Sequence, residues 1–184
     1  MTEPARGGDD TIDAELIARW QAGDQRAATL LVERHGPSLA RFASSLGERD
    51  AAEELVQDTF VRAFGAIASF RADSSLRTWL FTILRRLCLD RRRAERRRRV
   101  VGEVQERHAA TEFDALDELV ATETQARVRR ALERLTPTQR EVFVLRVSEG
   151  LSYREIADVA DTTEGAARVH YHNAVRTIKE FLDA

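Results

Sequence analysis

The chain has 184 residues, of which 43% are hydrophobic and 33% charged, and its formal net charge is −2. This length accommodates one domain or two small ones. Its single cysteine, Cys88, excludes an internal disulfide, and the sequence has neither an apolar run of membrane-spanning length nor a signal-peptide pattern. We therefore expect a cytoplasmic protein without membrane insertion.

Helical patterns dominate the first half of the chain, and hairpin signals are missing. Residues 1–10 are expected to form a flexible leader. Helices are predicted over about 12–22, 24–46 and 50–64, ended by Gly23, Gly47 and Gly65. The Gly36-Pro37 pair is a candidate bend in the second helix. A loop over 66–75 then leads into a fourth helix, which completes a domain over 11–99.

The fourth helix joins an apolar stripe to a run of arginines. The stripe consists of Leu76, Trp79, Leu80, Ile83, Leu84 and Leu87. Residues 85–99 hold nine arginines against Asp90 and Glu95, which leaves a local charge of about +7. Such a surface suits nucleic-acid phosphates and bases. The alternative is a solvated helix end that runs into a linker.

Residues 100–122 lose the helical periodicity and are acidic, which predicts a flexible linker. We hypothesise that these acids also occupy the arginine run until DNA or a partner competes for it. Neutralising the acids should then raise non-specific DNA binding, and an unchanged affinity would reject the idea.

A second small domain is predicted over 123–184. After a helix over 126–135, Thr136-Pro137-Thr138-Gln139 and Ser152-Tyr153-Arg154-Glu155 form two capping boxes, each opening a helix. Thr163 can cap a last helix over about 164–181. A short helix, a tight turn and a longer helix are the layout of a helix-turn-helix. The expected fold class is therefore all-α, with two small helical domains joined by a linker.

The last helix has two contrasting sides. The side expected to be buried carries Ala167, Tyr171, Ala174, Ile178 and Phe181. The opposite side carries Gly165, Arg168, Val169, His172, Asn173 and Arg176. Arginine pairs with guanine, asparagine with adenine, and an exposed valine can meet a thymine methyl, so this side suits a major groove. The alternative is a helical hairpin with a solvated polar face.

The sequence contains no motif for catalysis, for a metal or for a cofactor. It has no glycine-rich phosphate loop, no H-E-x-x-H and no Cys/His metal spacing. His170 and His172 point to different faces of one helix. Glu53, Glu54 and Asp58 group on the third helix without a nearby histidine, so we interpret them as a solvated or partner-facing acidic surface. We do not expect an enzyme.

These segments resemble the bacterial extracytoplasmic-function (ECF) sigma factors of the sigma-70 family. D-A-A-E-E-L-V-Q-D-T-F-V-R-A-F, over 50–64, is similar to their polymerase-binding helix. Residues 70–93, F-R-A-D-S-S-L-R-T-W-L-F-T-I-L-R-R-L-C-L-D-R-R-R, are similar to their segment for the minus-ten element. Residues 135–157 and 163–174 are similar to their domain for the minus-thirty-five element. The resemblance spans about residues 12–182 in the family's order.

The resemblance implies partners and roles. Core RNA polymerase would be bound at its β′ clamp helices and its β flap, and an anti-sigma factor is a further expected partner. The implied β′ contacts are Glu54, Gln57, Asp58 and Val61. The implied minus-ten contacts, including a loop that captures an unstacked base, are Phe70, Arg71, Ser74, Ser75, Arg77, Trp79, Arg85 and Arg86. The implied minus-thirty-five contacts are Arg154, Thr163, Arg168, Val169, His172, Asn173 and Arg176.

Two points stay open at this stage. Trp79 lies on the apolar stripe, so core packing competes with base stacking as its role. The family often has basic residues where this chain has His170, Asn173 and Val175, which predicts weaker or differently specified upstream contacts. Two other functions also remain: a helix-turn-helix regulator that acts without polymerase, and a decoy that holds an anti-sigma factor without starting transcription.

Overall fold

The computed structural model describes residues 7–70, 74–100, 127 and 130–183, and the regular elements of these ranges are all helices. The N-terminal domain contains α1 (Gly7–Gln21), α2 (Gln25–Ser45), α3 (Ala52–Ala66), a 3₁₀ turn (Ile67–Ser69) and α4 (Leu76–Val100). The C-terminal domain contains α5 (Pro137–Val147), α6 (Tyr153–Ala160) and α7 (Glu164–Leu182). The all-α prediction is confirmed.

Two boundaries differ from the sequence prediction. Residues 7–10, expected in the leader, belong to α1, where Asp9 and Asp10 occupy the first turn and Asp9 pairs with Arg34 of α2. Acidic side chains favour a helix N-terminus, which explains the earlier start. Gly65 does not end the third helix, because α3 continues to Ala66.

Some expected elements fall outside the described residues. The linker predicted over 100–122 lies outside the described residues, except for residue 100, which ends α4. Of the helix predicted over 126–135, residues 127 and 130–133 are helical.

Side-chain caps fix where the helices of the C-terminal domain begin. The Thr136 side chain accepts from the Gln139 backbone N–H and the Ser152 side chain from that of Glu155, and the Gln139 and Glu155 side chains accept in return. The Thr163 hydroxyl accepts from Ala166 N at 3.1 Å and opens α7. These three predicted caps are confirmed, so the orphan N–H groups of each helix start are partly satisfied.

The core of the N-terminal domain forms where α2, α3 and α4 pack together. Phe42 and Phe81 meet edge to face with ring centroids 5.2 Å apart. The predicted stripe is inward, with Leu76, Leu80, Leu84 and Leu87 buried and Trp79 and Ile83 packed against them. The stripe does not include Phe81, Thr78 and Cys88, which are also buried. Burial beyond one stripe shows that α4 is covered from more than one direction.

The additional cover comes from the C-terminal domain. Helix α6 packs against α4, and α5 packs against α2. Buried residues of both domains, among them Phe81 and Ile156, belong to one continuous hydrophobic cluster. The two domains are therefore in direct contact.

Candidate nucleic-acid interface

One face of α3 is exposed, acidic and partly apolar. Glu54, Gln57, Asp58 and Val61 lie at helical spacing and are all exposed, while Leu55, Thr59, Phe60 and Ala63 are buried on the other face. Val61 keeps 71% of its surface in solvent. An apolar side chain so exposed among carboxylates is suited to a partner that has basic and apolar groups.

The loop before α4 brings two aromatic rings together. The Phe70 ring centroid lies 5.0 Å from that of Trp79, and both side chains pack against the core. The Ser75 hydroxyl accepts from Thr78 N at 3.1 Å and fixes the start of α4. Arg71 lies outside the described residues. For Trp79, these contacts favour the packing role over base stacking.

A cleft of about 160 Å³ adjoins this loop. Phe70, Ser74 and Ser75 form one side of it, and Asp13 and Ile17 of α1 are among the residues of the other. It combines hydroxyl groups with an aromatic wall. These are the groups that stack on and hydrogen-bond to an unstacked base.

Arginine side chains of α4 face the C-terminal domain. Arg77 Nη2 lies 2.5 Å from Oε2 of Glu149, and Arg85 Nε pairs with Oε1 of Glu141. Thr78 Oγ1 donates to Oε1 of Glu155 at 3.3 Å. Arg77 and Arg85, both predicted to contact DNA, are therefore bound to carboxylates of the other domain. Arg86, in contrast, is exposed.

Part of the arginine run is held within the N-terminal domain. Arg91 Nε and Arg92 Nε lie 3.3 Å from the two carboxylate oxygens of Glu48, a buried residue between α2 and α3. Arg91 also reaches Glu54 at 3.4 Å. Sequence reasoning missed this function of Glu48, because the residue stands more than forty positions before its partners and belongs to no motif. Arg96, Arg97 and Arg98 remain exposed at the end of α4.

The outward side of α7 largely matches the prediction. Arg168, Val169, His172 and Arg176 are exposed, Asn173 is half-buried, and Arg154 and Thr163 are exposed nearby. Ala167 and Ala174 are fully buried, whereas Tyr171, Ile178 and Phe181 are half-buried. The Arg168 guanidinium lies 4.7 Å from the Tyr153 ring centroid and pairs with Glu164. Val169 is 58% exposed, so this helix presents polar and apolar groups together.

Burial perturbs two groups near the contact between domains. It raises the pKa of Glu141, and the nearby Arg85 and Arg92 guanidinium groups oppose that shift. Burial, together with the Glu48 carboxylate, raises the pKa of the Cys88 thiol to about 12. Both shifts have desolvation of the charged form as their main cause.

Across the described residues, no group of histidine, cysteine and acidic side chains could hold a metal ion. No helix in the described part of the chain is long and apolar enough to span a membrane.

A helical domain with an arginine-rich helix, followed by a helix-turn-helix, defines a class of DNA-binding transcription proteins. Comparison with known families makes the class specific. Residues 31–98 match the model of sigma-70 region 2, and residues 125–178 match that of sigma-70 region 4. The two matches correspond to the two domains of the fold.

Curated relatives agree with the family models. The ECF RNA polymerase sigma factor BldN of Streptomyces coelicolor is 32% identical over 97% of this chain and 69% of its own length. The ECF RNA polymerase sigma-E factor of Escherichia coli is 32% identical over 90% of this chain and 92% of its own length.

Solved structures show the same fold. The sigma factor RpoE of Bartonella quintana, in complex with the anti-sigma factor NepR, has a TM-score of 0.68 at 29% identity, over 85% of this chain and 96% of that one. CnrH in complex with the cytosolic domain of CnrY has a TM-score of 0.67 at 33% identity, over 94% and 97%. The chain belongs to the ECF RNA polymerase sigma factors, which direct RNA polymerase to promoters.

Proposed function

We propose that three surfaces divide the work of promoter recognition in this sigma factor. The face of α3 around Asp58 and Val61 binds core polymerase, the loop and start of α4 hold the minus-ten strand, and the outward side of α7 reads the minus-thirty-five element. The observation that carries the proposal is the exposed acidic and apolar face of α3, with Val61 71% exposed beside Glu54 and Asp58. A regulator that acts on DNA alone has no use for that face.

Strand opening in this proposal needs no catalytic residue. A base that leaves the stack loses stacking energy, and a protein pocket can compensate with contacts to the base. The cleft between Phe70, Ser74 and α1 supplies an aromatic wall and hydroxyl groups for this purpose. The polymerase then performs the nucleotide chemistry, so the protein is a specificity factor rather than an enzyme.

Upstream recognition is proposed for the helix-turn-helix. Arg168, Val169, His172 and Asn173 would meet base edges in the major groove, and Arg154, Thr163 and Arg176 would lie nearer to phosphates. Because Asn173 and Val175 are uncharged, affinity there would depend on base contacts more than on charge. Each domain alone would bind weakly, and their linkage in one chain would add the two contacts by effective concentration.

The partners and compartment follow from this assignment. Since polymerase and promoter DNA are its proposed partners, we propose that the protein acts in the bacterial cytoplasm. The similar structures of RpoE and CnrH were solved with NepR and with the cytosolic domain of CnrY. We therefore also propose that an anti-sigma factor binds this chain.

In-vitro transcription with bacterial core polymerase and fragments of genomic DNA tests the proposal. Promoter-specific initiation is expected. A chain that does not bind core would be a regulator acting alone, and one that binds core without initiating would be a decoy.

Asp58→Ala should weaken core binding and leave DNA binding by the free chain unchanged. Asn173→Ala should alter preference at the upstream element and leave core binding unchanged.

A further inference from the structure

Two carboxylates of the C-terminal domain are buried against arginines of the N-terminal domain. The Glu149 side chain has no exposed surface, and that of Glu141 is 8% exposed. Glu149 is paired with Arg77 at 2.5 Å and lies 3.5 Å from Arg41, and Glu141 is paired with Arg85. Two guanidinium groups of α4 are thus bound by negatively charged carboxylate oxygens, in the way that phosphate oxygens would bind them.

The contact between domains covers part of one of the three proposed surfaces and leaves the other two open. On the polymerase face of α3, Val61 is 71% exposed and the Glu54 side chain 69%. On the outward side of α7, Val169 is 58% exposed and the Arg168 side chain 55%. The guanidinium groups of Arg77 and Arg85, in contrast, belong to side chains that are 35% and 18% exposed and already paired.

Charged contacts make this interface specific without making it strong. Burying an ion requires removal of its water, and the attraction within a buried pair offsets this cost only in part. The raised pKa of Glu141 reflects the same desolvation. When the domains separate, both carboxylates and both guanidinium groups regain water. The pairs therefore fix the orientation of the two domains and add little to the free energy that opposes opening.

We propose that Glu141 and Glu149 act as internal substitutes for DNA phosphates, which mask Arg77 and Arg85 while the polymerase-binding and upstream-reading faces remain accessible. The closed chain can meet polymerase through α3 and upstream DNA through α7. Contact of Arg77 and Arg85 with single-stranded DNA requires the C-terminal domain to leave α4. That Arg77 and Arg85 contact DNA rests on the proposed function, whereas the closed contact between the two domains does not.

The test compares two double variants of the full chain. Glu141→Gln with Glu149→Gln removes both interface charges and leaves every arginine in place. Glu133→Gln with Asp183→Asn makes the same change in net charge at exposed positions of the same domain. Small-angle scattering measures the radius of gyration. Binding of a labelled single-stranded oligodeoxynucleotide of mixed sequence is measured between about 50 and 200 mM salt.

The interface variant should have a larger radius of gyration than the unaltered chain, because Arg77 and Arg85 would be left in the closed contact without their counter-ions and would regain water on opening. It should also bind the oligonucleotide with a steeper salt dependence, because two released arginines add about 1.4 to the slope of log affinity against log salt. The control variant should change neither quantity. An unchanged radius, an unchanged slope in an expanded chain, or an equal response of the control variant would each overturn the masking proposal.

A charge exchange tests the pair itself. Arg85→Glu alone places two carboxylates together and should expand the chain, and Glu141→Arg alone should do the same with two guanidinium groups. The double exchange should restore the radius of gyration, and failure to restore it would contradict the assigned pair. These readouts use scattering only. Failure of the proposed function would be seen instead in transcription, as initiation that survives the loss of Arg77 and Arg85.

Discussion

Cys88 shows how burial alone can determine the chemistry of one residue. It lies on the inner side of α4 with 1% of its surface exposed. Burial first, and then the Glu48 carboxylate, disfavour the thiolate; Arg92 opposes this effect, and Glu141 adds a smaller contribution that also disfavours the thiolate. The resulting pKa of about 12 keeps the thiol protonated at neutral pH. Because the thiolate is the nucleophile, we assign Cys88 to packing rather than to redox sensing.

This assignment predicts slow alkylation of the folded protein. Iodoacetamide should modify Cys88 in guanidinium chloride but not in buffer between pH 7 and 9, as measured by intact-mass spectrometry. A raised pKa in the folded state also means that the thiol's contribution to stability is lost as pH rises from about 9, where the unfolded thiol ionises, towards 12. Rapid modification of the folded chain at pH 8 would contradict the assignment.

Residue types revealed the chemistry of the candidate site but not the partners of its side chains. The positions of Glu54, Asp58 and Val61 on one face follow from helical spacing alone, and the structure exposes all three. The pairing of Arg85 with Glu141 joins residues 56 positions apart. No local pattern encodes such a pair, since many arginines and many acids in this chain would fit equally well.

At the scale of elements, the caps are the strongest sequence signals. Thr136, Ser152 and Thr163 each accept a backbone hydrogen bond at the start of their helix. Such contacts form within four residues, so they can be read directly from the sequence. Glycine is a weaker signal, since Gly23 and Gly47 have positive φ angles just after their helices while Gly65 lies inside α3.

Loss of a cap should destabilise α6, which has only eight residues. Ser152→Ala removes the acceptor for Glu155 N and should lower the free energy of unfolding by about 1 kcal/mol, as measured by urea denaturation. Ser148→Ala, at an exposed position after α5, is the matched control and should change it by less than about 0.5 kcal/mol. Equal losses in both variants would show that the cap contributes nothing specific.

The packing of the start of α6 against α7 also positions a side chain for the proposed DNA contact. The Arg168 guanidinium lies 4.7 Å from the Tyr153 ring centroid, and its Nη2 is paired with Glu164. The ring covers one face of the guanidinium, so a base would be met by the edge N–H groups that do not pair with Glu164. Tyr153→Leu should weaken upstream-element binding about two- to fivefold, whereas Tyr153→Phe should retain it, because phenylalanine keeps the aromatic face. Fluorescence anisotropy with a promoter duplex measures both. Equal losses in both variants would point to the hydroxyl instead.

At the scale of the whole molecule, the sequence indicated two helical domains and their order but not their contact. Each domain has its own periodic helices, so each core can be inferred from local patterns. The contact depends on α4 being buried from a second direction, where Thr78 and Cys88 interrupt the leucine stripe without an obvious signal. The two domains of a linked chain can meet in many ways, and their relative orientation depends on a few ion pairs such as Arg77 with Glu149.

An interface that can open should respond to the loss of a buried partner differently from a single core. In one inseparable core, Arg77→Met would leave the Glu149 carboxylate buried without its main partner, at a cost of about 3–5 kcal/mol. Here the C-terminal domain can move away and return Glu149 to water, so the cost cannot exceed the free energy of closure. We expect a nearly unchanged melting temperature and a larger radius of gyration.

The opposite result would show that the two domains unfold as one unit. In that case the melting temperature would fall by at least about 6 °C and the radius of gyration would stay constant. The double variant Arg77→Met with Glu149→Met separates the charge effect from the loss of side-chain volume. Because apolar side chains of similar size often replace a buried ion pair without loss of stability, the double variant should be compact again. The C-terminal domain would then stay packed on α4, with an apolar contact between two methionines in place of the ion pair.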